Sequence, residues 1–281
     1  MWEELIKQAV ELFQKGELQK AADVARKALK EAEKACGPDD PRVAGILNNL
    51  AEIYRAQMNY SQAEPLWERA LRIREAALGK EHPDVAISLN NLAGGYFEQD
   101  KFDKALPLFS RSLAILEKKL GKDHLDVATT LDNLAATHRA AGKLPMAKVY
   151  YERALQIREK NLGNDHIQTG ISLNDLAGLY YSQERFADAE PLYRRALEIA
   201  EKAFGPYHMH VAYSLRNLAA TLIGMGKSDE AEPLMLRAQD IVEKSFGHAH
   251  PQTIEGWESI AEYYEATDKP EEAAKIRKKL P

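Results

Sequence analysis

Between residues 85 and 113 the apolar positions fall at helical spacing. Val85, Leu89, Leu92, Ala93 and Tyr96 recur every three or four residues and form one buried stripe. The polar pair Gln99-Asp100 interrupts the pattern, and Phe102, Ala105, Phe109 and Leu113 resume it on a second stripe. The segment therefore predicts two amphipathic helices joined by a short turn. Such a hairpin cannot bury its apolar stripes alone, so it needs like hairpins on either side.

The rest of the chain supplies them at a period of 42 residues. Gly37, Gly79, Gly121, Gly163, Gly205 and Gly247 are each 42 apart, and His82, His124, His166, His208 and His250 stand three residues after the last five of them. A second constant block reads LNNLA at 47–51 and 89–93, LDNLA at 131–135, LNDLA at 173–177 and LRNLA at 215–219, and fades to WESIA at 257–261. Pro41, Pro83 and Pro251 stand where each first helix would begin, a position that suits proline because its φ is preset and its missing N–H has no role there. The glycines stand where second helices would stop, and a positive φ can end a helix. Pro65, Pro107, Pro191 and Pro233 are expected in the opening turn of the second helix, where amides lack intrahelical acceptors.

Small residues hold two further positions. One is Ala63, Ala105, Ala147, Ala189, Ala231 and Ala273; the other is Ala70, Ala154, Ala196 and Ala238, with Ser112 as its exception. Bulkier side chains there would overpack the seam between hairpins. The expected fold class is all-α, a right-handed α-solenoid of stacked antiparallel helix hairpins. It would form a single array over 1–281, with approximate repeats 1–40, 41–82, 83–124, 125–166, 167–208, 209–250 and 251–281. The first and last are incomplete or capping: the first lacks the LNNLA block, and the last closes on the polar run Lys275, Arg277, Lys278 and Lys279.

Composition narrows the function classes. With 45% hydrophobic and 29% charged residues the chain suits a folded protein and excludes a long disordered tail. Its net charge of −5, from 43 acidic and 38 basic residues, gives no bulk footprint for nucleic acid or an anionic membrane. No apolar run approaches the roughly 18 residues that suggest a bilayer span, and the opening Met1-Trp2-Glu3-Glu4-Leu5 has neither the basic flank nor the apolar core of a leader. The single Cys36 excludes an intrachain disulfide and a Cys-rich zinc site. The expectation is a cytoplasmic protein with no nucleic-acid or membrane partner and no cofactor, and a leader already removed is compatible with it.

Leu92-Ala93, Tyr96, Phe102, Ala105 and Phe109 follow the order of small and aromatic residues in a tetratricopeptide repeat, and the chain resembles that family. The ordinary unit has about 34 residues. This 42-residue unit, with LNNLA, a tyrosine, A-E-P-L, R-A-L, L-G and H-P in sequence, is similar to the kinesin light chain type. The resemblance implies that positions such as 87, 90, 91, 94, 97 and 98, on the side of the first helix opposite its partner, face a concave groove that binds an extended peptide.

Two rows line that expected groove. A ladder of amides, Asn48, Asn90, Asn91, Asn133, Asn174 and Asn217, joined by Asn49, Asp132, Asp175, Arg216, Glu258 and Ser259, would offer donors and acceptors to a peptide main chain. The same asparagines could instead brace neighbouring repeats. The walls vary: Gly45, Ile87, Thr129, Ile171 and Tyr213 at one level, and Arg55, Phe97, Arg139, Tyr181 and Ile223 at another. Gly94, Ala136, Gly178 and Ala220 either leave room for an inserted side chain or, as Gly94-Gly95 suggests, let helices approach. By the resemblance, Arg55 matches an arginine of the kinesin light chain peptide site, and Asn91 and Asn133 match its backbone-binding asparagines. Leu116 and Thr129 stand where that family has positive side chains, so acidic cargo is not implied. The heptad segment of a light chain is also missing.

The expected function is a protein-interaction scaffold holding an extended peptide or partner segment. Incomplete terminal repeats would leave apolar edges able to pair between copies. One alternative is a sensor or scaffold segment of a larger signalling protein or NTPase. A more distant one is a metal-dependent enzyme using His208-x-His210 and His248-x-His250. Against catalysis, one histidine of each pair belongs to the 42-residue period, where it is expected to cap or pack the inter-repeat turn, and no nucleophile elbow, phosphate loop or dinucleotide fingerprint is present. His138 replaces the repeat's tyrosine and is expected in the core or at a repeat interface.

Overall fold

The computed structural model describes residues 2–278 and 280. All regular structure among them is helical. The chain divides into two compact units, Met1–Ile157 and Arg158–Pro281. In the first unit lie α1 (Trp2–Gln14), α2 (Leu18–Cys36), α3 (Pro41–Ala56), α4 (Tyr60–Leu78), α5 (Pro83–Phe97), α6 (Phe102–Leu120) and α7 (Leu125–Ala140), and the division falls within α8 (Leu144–Leu162). The second unit continues with α9 (Ile167–Tyr181), α10 (Phe186–Phe204), α11 (Met209–Gly224), α12 (Ser228–Phe246), α13 (Pro251–Ala266) and α14 (Pro270–Arg277). Odd-numbered helices are the first of each hairpin.

The periodic histidines are helix caps. His82, His124, His166, His208 and His250 each precede a first helix, and each Nδ1 accepts the N–H two residues on, at 3.1–3.3 Å. One of the helix's unpaired opening amides is thereby satisfied. The first repeat uses Asp40 at the same register position, accepting from the Arg42 N–H at 2.9 Å. At the far end of each second helix, Gly37, Gly79, Gly121, Gly205 and Gly247 combine φ of 82–93° with ψ of 154–166°. That is an extended conformation with positive φ, essentially closed to residues with a Cβ. An asparagine, which can share the left-handed helical well, would not serve.

The prolines depart from expectation. Pro65, Pro107, Pro191 and Pro233 lie in the second turn of their helices, six positions in, not the first. A hydrogen bond to the carbonyl four residues earlier is lost in each. The helices continue because Ser61 and Pro65, Asp103 and Pro107, Ala187 and Pro191, and Asp229 and Pro233 are all exposed, so water reaches the freed carbonyl.

The seams are close and apolar. Ala63, Ala105, Ala147, Ala189, Ala231 and Ala273 are all buried, as are Ala70, Ala154, Ala196 and Ala238. Ser112, the polar exception, donates to the Ala86 carbonyl at 2.9 Å. Trp67 is wholly buried against Gly95, where an added Cβ would lie 2.2 Å from the indole ring.

A polar rivet closes one edge of five of the seams. Arg69, Arg111, Arg153, Arg195 and Arg237 pair with Glu33, Glu75, Glu117, Glu159 and Glu201 of the preceding second helix at 2.5–2.7 Å. Each arginine also donates to a carbonyl in the loop after that helix, at Pro38, Lys80, Lys122, Asn164 and Pro206. Neither role is assigned by the apolar pattern, yet both residue types recur with the 42-residue period.

Candidate functional site

In the first unit the inner positions of α3, α5 and α7 divide into closed and open members. Asn48 is only 6% exposed, and its Oδ1 is buried without a donor. It therefore lies within the stack and is a correction to the expected ladder, because a peptide cannot reach it. Asn90 is half-buried and donates through Nδ2 to Thr130 Oγ1 at 3.0 Å, bridging α5 and α7. That bond is the bracing role. Asn49 is exposed, and Asn91 and Asn133 are half-buried. In the Asn48-Asn49 pair the second asparagine is the open one, whereas Asn90 and Asn91 are both half-buried.

Arg55 is already engaged. Its guanidinium donates to Glu52 at 2.8 Å and to Glu98, at the C-terminal cap of α5, at 2.5 Å. Burial acts to lower its pKa, but the two carboxylates outweigh this and leave it raised. Phe97 packs on Phe102 with ring centroids 5.9 Å apart, which ties it to its own hairpin turn. Ile87 is 48% exposed, and Arg139 is exposed with no acidic partner among the described residues. Leu116 is buried, so it presents no side chain to a groove. His138 is half-buried and stacks on Tyr150 at 5.4 Å, and burial followed by Lys143 lowers its pKa. The contact lies within its own hairpin, between α7 and α8.

In the second unit Asn174 is half-buried, donates back to the Gly170 carbonyl at 3.2 Å, and keeps a buried Oδ1 with no donor. Arg216 and Asn217 are exposed, and Arg216 has no acidic partner among the described residues. Tyr181 is exposed and sets its ring edge-on to Phe186 at 5.4 Å. Ile171, Tyr213 and Ile223 are exposed on the same helix face, at 49%, 52% and 38%. Between α11, α12 and α13 a cavity of about 140 Å³ opens beside Arg216, Ala220 and Ile223. The inner face of α13 is acidic, with Glu255, Glu258 and Glu262 exposed and Glu265 paired to Arg277 at 2.9 Å.

The two glycines of α5 separate the two meanings weighed for them. Gly95 lets Trp67 approach, whereas an added Cβ on Gly94 meets nothing within 4 Å. The histidine pairs belong to local stacks: Phe204 lies against His208 at 4.4 Å and His210 at 4.9 Å, and His248 Nδ1 lies 2.9 Å from Glu243 Oε1. No group of three or more His, Cys, Asp or Glu among the described residues is arranged to hold a metal.

Models of the tetratricopeptide repeat match residues 42–118, 84–160, 126–202, 168–234 and 210–279, and a second model of the same repeat matches 6–77. The chain belongs to the tetratricopeptide repeat family. BtubC (BKLC) from P. vanneervenii is 26% identical, with a TM-score of 0.73 over 83% of this chain and 94% of that one. A Podosopora anserina structure of nearly identical kinesin light chain TPR-like repeats is 25% identical, with a TM-score of 0.65 over 73% and 98%. A Rap protein complexed with Competence and Sporulation Factor shares the fold at 18% identity, with a TM-score of 0.64 over 99% and 75%. No curated protein sequence matches significantly. The tetratricopeptide repeats here are of the kinesin light chain type, and the array is a protein-interaction scaffold of a generally non-catalytic fold. Among the described residues no helix is long and apolar enough to cross a membrane.

Proposed function

We propose that the array binds an extended segment of a partner protein along the inner faces of its first helices. The observation that carries this reading is the exposure of Ile87 in the first unit and of Ile171, Tyr181, Tyr213 and Ile223 in the second, all at inner-face positions. The open amides Asn91, Asn133 and Asn217 hold the main chain, and the variable apolar residues select the sequence. The complex of a Rap protein with Competence and Sporulation Factor supports a partner-binding use of this fold. Asn48 and Asn90 belong to the stack in this reading. Arg55, paired twice, and the buried Leu116 offer no free positive charge to an acidic cargo motif, although Arg139 is exposed in the same unit.

A peptide-library screen against the whole chain tests the proposal. Asn91→Ala with Asn133→Ala should weaken selected peptides by about tenfold, the loss of one or two neutral hydrogen bonds. Tyr213→Ala should weaken those that contact the second unit, and neither change should lower Tm by more than a degree or two. A screen that yields no binder, or binders indifferent to all three substitutions, would sink it.

A further inference from the structure

The chain's own repeats supply a template for a ligand. At register position 74, 116, 158, 200 and 242 the seams are closed in more than one way. Arg74 donates to the Asp84 carbonyl at 3.0 Å and to Ser88 Oγ at 2.8 Å, crossing from α4 to α5. Arg158, only 7% exposed, makes the same bond to Ser172. Leu116 fills its seam with apolar bulk, and the facing Thr130 is satisfied by the Asp126 carbonyl and by Asn90. Beside Val242 the facing residue is Gly256, and Gln239 occupies the space above it, bonded to the Thr253 carbonyl at 2.7 Å.

The seam between α10 and α11 has the receiving half of the arginine arrangement without the arginine. Ser214 stands in register with Ser88 and Ser172, and His210 in register with Asp84, but the position of Arg74 and Arg158 is Ala200. Where the long side chain would lie there is a cleft of about 120 Å³, lined by Ala200, Ser214, His210, Tyr213, Ile171 and Asn174. Asn174 brings the buried Oδ1 that has no donor. The cleft thus gathers acceptors, Ser214 Oγ, Asn174 Oδ1 and, by register, the His210 carbonyl, beside the exposed ring of Tyr213. A carboxylate could accept from the Ser214 hydroxyl but brings no donor for Asn174 Oδ1 or the His210 carbonyl. A guanidinium brings five donors in a plane that also stacks on an aromatic face.

We propose that this cleft takes the guanidinium of an arginine side chain from the bound segment, which replaces in trans the arginine that Arg74 and Arg158 supply in cis. The assignment rests on the partner-segment reading above and names one residue type within it. The aliphatic part of the side chain would lie along Ile171, with the head group reaching Ser214 as the internal arginines reach Ser88 and Ser172.

The test titrates the whole chain with N-acetyl-arginine amide, followed by amide resonances, beside the lysine, citrulline, norleucine and glutamate analogues. The arginine compound should bind best and shift the Ser214 and Tyr213 signals, and glutamate should not bind. Ala200→Arg should fill the cleft from within, keep or raise Tm, and weaken the arginine compound by about tenfold or more. If that variant does not fold, Ser214→Ala serves: it should weaken arginine several-fold and leave norleucine unchanged. Equal affinity for norleucine and arginine, or a folded Ala200→Arg chain that binds as before, overturns the inference. Library peptides that bind without arginine and ignore Ala200→Arg overturn it while sparing the groove. Occupation by the arginine compound in a chain that binds no peptide does the reverse.

Discussion

The two edges of each seam differ in kind. At the outer edge one arginine-glutamate rivet recurs five times with the same partners and nearly the same distances. At the inner edge the residues at 74, 116, 158, 200 and 242 are Arg, Leu, Arg, Ala and Val, each with its own facing partner. The rivet meets a demand every repeat shares, since every second helix ends in a loop whose carbonyls need donors. Leu116, Arg158, Ala200 and Val242 are all buried, so a residue at that register answers to the space and the facing partner of its own seam. The constant pair and the variable position therefore meet different demands.

Both edges rest on the apolar stripe, and removing part of it should have the largest effect. Phe109→Ala, at a position 2% exposed, should cost about 3–5 kcal/mol in chemical denaturation. A smaller loss would mean the hairpins depend on their polar edges more than the comparison allows. Arg158→Ala comes next, at about 1–3 kcal/mol, because it leaves Ser172 without its donor in a buried place. Arg158→Leu combined with Ser172→Thr copies the Leu116 and Thr130 seam and should recover most of that loss. Failure to recover would show that the inner edge is less interchangeable than its variety suggests.

The caps fall between. His124→Ala should cost about 1 kcal/mol, within the usual range for removing an N-cap, and His124→Asp should not, since Asp40 already does the work in the first repeat. The smallest effect belongs to the rivet itself. Arg111→Ala should cost about 0.2–1 kcal/mol and less in high salt, because the pair with Glu75 is partly exposed. A salt-independent loss would place the weight on the Lys80 carbonyl bond instead.

Much of this was legible along the chain. The stripes around Leu89 and Phe109, the terminal glycines and the proline starts announced helical hairpins, because each follows from backbone geometry that one residue type satisfies best. The histidines were visible as a period at the inter-repeat turn, where capping or packing was expected, and the N–H two residues on is what each accepts. The amide ladder was harder still. Asn48 and Asn91 occupy neighbouring register positions in adjacent repeats, yet one is sealed in the stack and the other half-open. A rotation of a fraction of a turn separates those outcomes, and pattern spacing does not resolve it.

By itself, then, the sequence determined the repeat, its length, the order of the helices and the family, since all of these depend on interactions within about 42 residues that recur at each turn of the period. Tertiary structure decided which polar side chains are engaged and which are open. Arg55 meets Glu98, Arg74 meets Ser88, and nothing from this chain fills the cleft beside Ala200, because those outcomes depend on how closely one hairpin settles on the next.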